Sequence, residues 1–419
     1  MNANLTELIG QIKKAIIEGN STNVVAASFD AAVERNASDI HIETNGKNSR
    51  IRFRVDGVLE EIAEYPLSLH PSLVSRVKIL ANLKIDERRK PQDGRINTEI
   101  SSGKELDLRV STLPTITGEK IVMRIVDKSR RIPNIDEFGI RGFSYQEIKK
   151  AIEQPNGILL TSGPTGSGKT TTLYSFLSHL NKPEVNILTI EDPVENQIDG
   201  LNQSQINPEI GYSFANGLRT ALRQDPNIVM VGEIRDKETI DIAVEAALTG
   251  HLVLSTIHTN SAAKSITRML DMGVEPFLIP ASVNAIIAQR LVRKVCSNCK
   301  DYFKPEDKVF EKIRETLSKV KNIEDEVGNK EFLTKVRLAR GKGCAKCGNT
   351  GYKGRMGIYE ILPIGSEIGE MIVKNFPDFE IENKAIEKGM VTLEQYGVFR
   401  ALEGETTLEE VYSQSSGKN

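Results

Sequence analysis

The chain has 419 residues, enough for two or three domains that each bury a core. Lys and Arg number 55 against 57 Asp and Glu, so bulk charge makes no electrostatic case for a nucleic-acid partner, and none is expected. No apolar run approaches the roughly eighteen residues that a bilayer-spanning helix requires, which leaves membrane contact to partners or surface docking.

Residues 1–20 carry Leu5, Leu8, Ile9, Ile12 and Ile16 at helical spacing, with Gly19-Asn20 as a stop, and read as an amphipathic helix. They do not read as a secretory signal, because Lys13 and Lys14 follow the apolar residues and Glu7 interrupts them. The expectation is a cytoplasmic protein. From Ser21 to Val126 short strands with polar punctuation are expected. Asp39-Ile40-His41-Ile42-Glu43 and Ile51-Arg52-Phe53-Arg54-Val55 alternate with period two around an Asn45-Gly46 turn. A helix is expected at Leu73 to Leu83, with further strands at Glu105 to Val110 and Lys120 to Val126. We therefore expect a compact α+β domain over 21–130. A charged, Pro-containing stretch from Asp127 to Phe138 leads into a linker placed at 131–145.

Residues 146–290 alternate strand and helix. Strands are expected at Gly157–Thr161, Asn186–Ile190, Ile228–Val231 and Leu252–Thr256. Helices are expected at Lys169–Leu180, Phe214–Arg223, Lys237–Leu248 and Ala262–Asp271. Asp236 is placed as an N-cap and Gly250 just past the end of the helix between them. Such alternation implies an α/β fold with a parallel sheet covered on both faces. Residues 291–360 carry the four cysteines, and 361–419 read as helical. The Glu- and Lys-rich run from Lys304 to Lys335 is expected to be a solvated helical face.

Gly163-Pro164-Thr165-Gly166-Ser167-Gly168-Lys169-Thr170, followed by Thr171, fits the phosphate-binding P-loop at every fixed position, between an expected strand and an expected helix. Glycines let successive N–H groups turn toward phosphate oxygens, and the helix N-terminus adds a favourable dipole. Lys169 should reach the β- and γ-phosphates, and the Thr170 hydroxyl should sit on Mg²⁺. Two acids follow at strand ends, Glu191 and Glu233, where a carboxylate can organise Mg²⁺ or orient the attacking water. Gly232 stands where an Asp often ends the second strand, which shifts that work to the two glutamates. His251 and His258 are seven residues apart, at opposite ends of one expected strand, and histidines so placed are more often structural than catalytic. Cys296-x-x-Cys299 and Cys344-x-x-Cys347 suit a tetrahedral Cys₄ zinc site better than disulfides in a cytosolic chain.

Together these segments resemble the hexameric ATPases that drive type II secretion and type IV pilus assembly, over residues 21 to 412. The resemblance is carried by Ala37-Ser38-Asp39-Ile40-His41-Ile42-Glu43, Arg52-Phe53-Arg54-Val55-Asp56-Gly57, Gln92-Asp93-Gly94-Arg95 and Asp107-Leu108-Arg109-Val110-Ser111-Thr112. It continues through Met123-Arg124-Ile125, the P-loop, the acidic box at Glu191, Leu222-Arg223-Gln224-Asp225-Pro226, Gly232-Glu233-Ile234-Arg235-Asp236, and Thr249-Gly250-His251 to Thr256-Ile257-His258-Thr259-Asn260.

The resemblance implies a PAS-like first domain, a RecA-like core and a ring that is a homo-hexamer, with ATP, Mg²⁺ and Zn²⁺ as its ligands. It implies that Arg109 and Arg124 act as arginine fingers, and that the positions of His251 and His258 line the nucleotide cleft. An inner-membrane platform protein is the implied partner, met at the cytoplasmic face of that membrane. The cysteines, with Gly351-Tyr352-Lys353-Gly354-Arg355 and Gly357-Ile358-Tyr359-Glu360 after them, resemble the zinc-bearing assembly branch rather than retraction ATPases. Many members carry a further N-terminal recruitment domain, whereas 36 residues precede Ala37 here, as expected of a short member or a core fragment. The competing readings are a RecA-like DNA translocase or helicase, a retraction ATPase, and an assembly protein that binds nucleotide without turnover.

Overall fold

The computed structural model describes residues 3–126, 131–321, 323–326 and 336–415. They divide into two compact units: Met1–Arg130 with Gly343–Lys353, and Arg131–Lys342 with Gly354–Asn419.

In the first unit, helices α1 (Ala3–Ile17), α2 (Ser21–Glu34) and α3 (His70–Leu80) accompany six strands. The strands are β1 (Ala37–Thr44), β2 (Ser49–Val55), β3 (Val58–Tyr65), β4 (Gln92–Glu99), β5 (Glu105–Thr115) and β6 (Gly118–Val126), ordered β3-β2-β1-β6-β5-β4 with every neighbouring pair antiparallel. The period-two pattern explains the faces. Ile40 pairs with Phe53 and Ile42 with Ile51, and all four are buried among the helices' apolar side chains. Asp39, His41 and Glu43 alternate with them and meet Arg54, Arg52 and Arg50 across the same pair of strands.

Strands were expected from Ser21 onward, but Ser21–Glu34 is a helix. The Asn20 side chain accepts from Asn23 N at 3.1 Å and caps its first turn, while Val24, Val25, Phe29, Ala31 and Ala32 are buried. Here packing of an apolar face outweighs the strand propensity of Val24-Val25.

The second unit is built on a seven-stranded sheet, ordered β15-β12-β7-β11-β10-β8-β9. Its strands are β7 (Gly157–Ser162), β8 (Ile187–Glu191), β9 (Asn202–Gln205), β10 (Ile228–Val231), β11 (Leu252–Ile257), β12 (Val283–Val295) and β15 (Tyr352–Pro363). Strands β13 (Lys300–Phe303) and β14 (Leu338–Gly341) form a separate antiparallel pair. From β12 to β9 every neighbouring pair is parallel, as the strand–helix alternation implies. Every residue of β7, β10 and β11 is buried, which is why these strands read as continuous apolar runs.

Helices α4 (Gly142–Ile152), α5 (Lys169–Leu180), α6 (Phe214–Ala221), α7 (Lys237–Leu248), α8 (Ala262–Asp271) and α9 (Leu278–Ser282) belong to this unit. So do α10 (Asp307–Ser318), α11 (Ile323–Glu326) and four further helices, Ser366–Val373, Asp378–Glu387, Leu393–Leu402 and Leu408–Ser415. Helix α6 ends at Ala221, two residues short of the expected Arg223. Asp236 caps α7 as expected, accepting from Thr239 N at 2.8 Å, and Gly250 follows that helix with a positive φ. Part of the charged Lys304–Lys335 run is helical in α10 and α11, and residues 322 and 327–335 of it lie outside the described residues.

Phe176 of α5 is fully buried beneath the P-loop strand. Phe176→Ala is expected to cost about 3–5 kcal/mol through lost burial and the cavity left behind, read as an earlier urea midpoint for the transition of the second unit.

Candidate nucleotide and metal sites

Strand register brings the candidate catalytic side chains to one edge of the second sheet. Ser162 at the end of β7 is level with Ile257 of β11, and Val231 at the end of β10 is level with Ile190 of β8. Gly163, Glu191, Glu233 and His258 therefore leave the sheet on the same side, outside the carboxyl ends of its strands, where open α/β sheets bind ligands.

The P-loop runs between β7 and α5. Gly163, Gly166 and Gly168 all have positive φ. A Cβ at Gly163 would stand 2.6 Å from the Gln289 carbonyl oxygen, so both conformation and space demand glycine there. Lys169 is only 8% exposed, and its ammonium turns back to the carbonyls of Gly163 and Pro164, at 2.8 and 3.0 Å. Burial lowers its pKa to about 8, against the raising effect of Glu233 and with a further lowering by Arg290. The Ser167 hydroxyl is buried without a hydrogen-bond partner. A dry cation with an unpartnered hydroxyl beside it, in a glycine-lined turn, fits the phosphates of ATP with Mg²⁺. Thr170 and Thr171 occupy the first turn of α5, with Thr171 exposed.

The two glutamates sit in different surroundings. Glu233 is paired with Arg235 at 2.5 Å and with His258 Nε2 at 3.4 Å, and its charge acts on Lys169. Its loop is pinned by the bond from Ile234 N to Thr256 O at 2.9 Å. Glu191 is buried and accepts from the Tyr174 hydroxyl, from Thr189 Oγ1 at 2.6 Å and from Gln203 Nε2 at 3.1 Å. Burial raises its pKa, and the three donors oppose that. Burial, aided by Lys169, lowers the pKa of His258.

His251 does not share this edge. Its carbonyl accepts from Gly157 N at 3.1 Å, and its ring Nδ1 lies 3.0 Å from Ala246 O, at the start of β7 and β11. The length of β11, about 20 Å of extended chain, separates it from the P-loop of its own chain, so of the two histidines only His258 stands beside the cleft built here. Arg109 and Arg124, in the first unit, are direct cross-strand partners, with Arg95 opposite Arg109 on the other side. Arg124 Nε lies 3.2 Å from Asp39, and its side chain is 62% exposed.

Tyr174, Thr189, Gln203 and Gln289 bond to these groups, and Arg290 acts on Lys169 through its charge, though none of the five stands in a recognisable motif. The only local signal was a polar pair, Gln289-Arg290, inside an apolar stretch.

The sulfur atoms of Cys296, Cys299, Cys344 and Cys347 all lie within 4.8 Å of one another. Cys344 and Cys347 Sγ are 3.7 Å apart, close to the edge of a tetrahedron with Zn–S bonds of about 2.3 Å. Backbone N–H groups of Cys344 and Gly351 donate to Cys347 Sγ at 3.2 and 3.3 Å, which favours a thiolate. None of the four is in a disulfide. The donor set fits Zn²⁺ with no position left open for chemistry.

Residues 16–413 match the family model described as "Type II/IV secretion system protein". The chain is 46% identical over 406 residues to a type IV pilus assembly ATPase, PilB, of Myxococcus xanthus, covering 97% of this chain and 70% of that protein. It is 46% identical over 388 residues to the type II secretion system ATPase E of Vibrio cholerae, covering 93% and 74%. Among solved structures, the fold is similar to the Legionella pneumophila ATPase DotB, with a TM-score of 0.65 at 22% identity over 93% of this chain and 95% of that one. With a P-loop, a buried lysine and a carboxylate gathered at one sheet edge, and this match over nearly the whole chain, the protein belongs to the type II/IV secretion system family and is one of its ATPases.

Proposed function

We propose that this ATPase is a homo-hexameric motor that powers assembly of a type IV pilus or a type II secretion pseudopilus through an inner-membrane platform protein, at the cytoplasmic face of that membrane. The carrying observation is the convergence of Lys169, Glu233 and His258 beside the P-loop. Equal identity to a pilus-assembly and a type II secretion ATPase supports the class of machine without choosing between them. The Cys₄ cluster favours assembly over retraction. Among the described residues no helix is long and apolar enough to cross a membrane, so the bilayer would be reached through the platform protein.

In this reading the P-loop N–H groups and the N-terminus of α5 hold the β- and γ-phosphates, and Lys169 exchanges the Gly163 and Pro164 carbonyls for phosphate oxygens. Thr170 would hold Mg²⁺, which would offset the negative charge of the β- and γ-phosphates. Glu233, steadied by His258, orients the attacking water. Glu191, gripped by Tyr174, Thr189 and Gln203, shapes that end of the cleft. Arg109 and Arg124 come from a neighbouring subunit, where an arginine near the γ-phosphate is worth about 10³–10⁵ in rate. Arg124 would leave Asp39 to reach it. Zinc is structural.

Lys169→Ala and Glu233→Gln are each expected to lower Mg-ATP hydrolysis at least ~100-fold with an unchanged circular dichroism spectrum. In the parent chain, specific activity should rise with protein concentration and ignore added DNA. Near-normal turnover in either variant would reject the site; strong stimulation by DNA would reject the motor class.

Lys169 also predicts a proton linkage. Between pH of about 8 and the ordinary lysine value its side chain is mostly neutral in the free protein, whereas phosphates favour the charged form. Mg-ADP binding should therefore take up a proton at pH 9 and almost none at pH 7, and should weaken as pH rises through 8. Calorimetry in buffers of different ionisation heat reads this directly, and Lys169→Ala should abolish it.

Metal analysis of freshly purified protein should find one zinc per chain. Cys344→Ser should lose it and lower the melting temperature of the part of the chain that follows. Zinc-free protein that melts at the same temperature as the zinc-bound form would remove the structural role.

A further inference from the structure

Gln289 sits in the middle of β12, only 2% exposed, on the strand beside β7. Its amide nitrogen donates to the Ser167 carbonyl at 2.8 Å, and its Oε1 accepts from the Thr172 hydroxyl at 2.8 Å. Ser167 lies in the P-loop and Thr172 in the first turn of α5, so one side chain is bonded on both sides of Gly168 and Lys169. The partners also settle which way the amide points, since a carbonyl can only accept. Contact with the loop is close: a Cβ at Gly168 would stand 2.8 Å from Gln289 Nε2. The backbone of Gln289 is itself held, because Arg290 Nη1 donates to its carbonyl and Nη2 to Asn260 O, each at 2.8 Å.

A trans peptide points its C=O and the following N–H in opposite directions. Drawing the Ser167 carbonyl toward β12 therefore turns the Gly168 N–H away from β12. Gly168 has positive φ and no side chain, so nothing intrinsic to it prevents that peptide from turning over and presenting its oxygen where a phosphate oxygen should lie.

We propose that Gln289 is a positioning residue for the phosphate cradle: its amide anchors the Ser167–Gly168 peptide so that the Gly168 N–H, and not the Ser167 carbonyl, faces the nucleotide phosphates. The inference rests on the P-loop as the ATP site and adds a side chain from a strand outside the loop. Gln289 touches the loop, not the nucleotide. It acts on ground state and transition state alike, because both present phosphate oxygens to the same N–H, so its loss weakens nucleotide binding more than it slows turnover.

The test uses the full chain with Gln289→Met, which keeps length and removes both hydrogen bonds, and Gln289→Glu, which keeps the acceptor for Thr172 and loses the donor to Ser167. Mg-ADP affinity is measured by calorimetry, KM and kcat for Mg-ATP by steady-state hydrolysis, and melting without nucleotide alongside. Both variants are expected to bind Mg-ADP about tenfold more weakly or worse. KM should rise in step while kcat changes less than threefold and nucleotide-free melting stays within a few degrees. Thr172→Val, which spares the Ser167 bond, should lose no more than about twofold. Affinity within twofold of the parent in Gln289→Glu, or a loss in kcat with KM unchanged, would overturn the proposal. If Gln289→Met does not fold, the Glu variant decides alone. A parent chain that binds no Mg-ADP would instead overturn the nucleotide site itself.

Discussion

A lysine ammonium stripped of most of its water is the constraint around which the nucleotide site is organised. Lys169 opens α5 and is only 8% exposed, with its ammonium turned onto the carbonyls of the loop before it. Two carbonyl dipoles and the charge of Glu233 compensate it only in part, as its lowered pKa records. The site is thus short of negative charge, which in the proposed binding mode the phosphates of ATP would supply. Glu233 must stay close enough to temper that deficit yet remain available to water, and its pairing with His258 and Arg235 meets both needs.

The far side of the loop is braced by residues that perform no chemistry. Strand β15, which follows the cysteines, lies beside β12 and carries the wholly buried Glu360. Its carboxylate accepts from Ala262 N at the start of α8 and from Leu393 N at the start of a C-terminal helix, and burial pushes its pKa up to about 7. Tyr359 beside it packs edge-on against Tyr396 and tilted against Phe138. The C-terminal helices are in this way fastened to the sheet that carries the P-loop, through a strand that begins five residues after Cys347.

Much of this was legible in sequence, for identifiable reasons. Strands β7, β10 and β11 are buried on both faces and their helices carry capped apolar stripes, so both periods are clean and the elements fell within a residue or two of their expected places. The P-loop was legible because its glycines and lysine have one common use at that spacing. Strand β9 was not, since Asn202–Gln205 is a polar edge strand with no apolar pattern. Strand β12 was not, since its long apolar run is interrupted by the polar residues that serve the loop. Gln289 left only a faint mark, one half of a polar pair in an apolar run: an amide among aliphatic residues shows its purpose only when the Ser167 carbonyl appears opposite it.

The cysteine cluster has a consequence for how this chain tolerates change. Zinc held by Cys296, Cys299, Cys344 and Cys347 would tie the two ends of the segment that joins the cysteine pairs. Lengthening a tied loop is entropically cheap, about 0.6 kcal/mol for each doubling. A metal bound there would therefore uncouple the length of this segment from the register of β15 and the helices after it. The stretch between the cysteine pairs would then tolerate a gain or loss of residues in its exposed turns, or a spliced reporter peptide, provided that α10 and β14, which bury Ile313, Leu317 and Leu338 in the core, are kept whole.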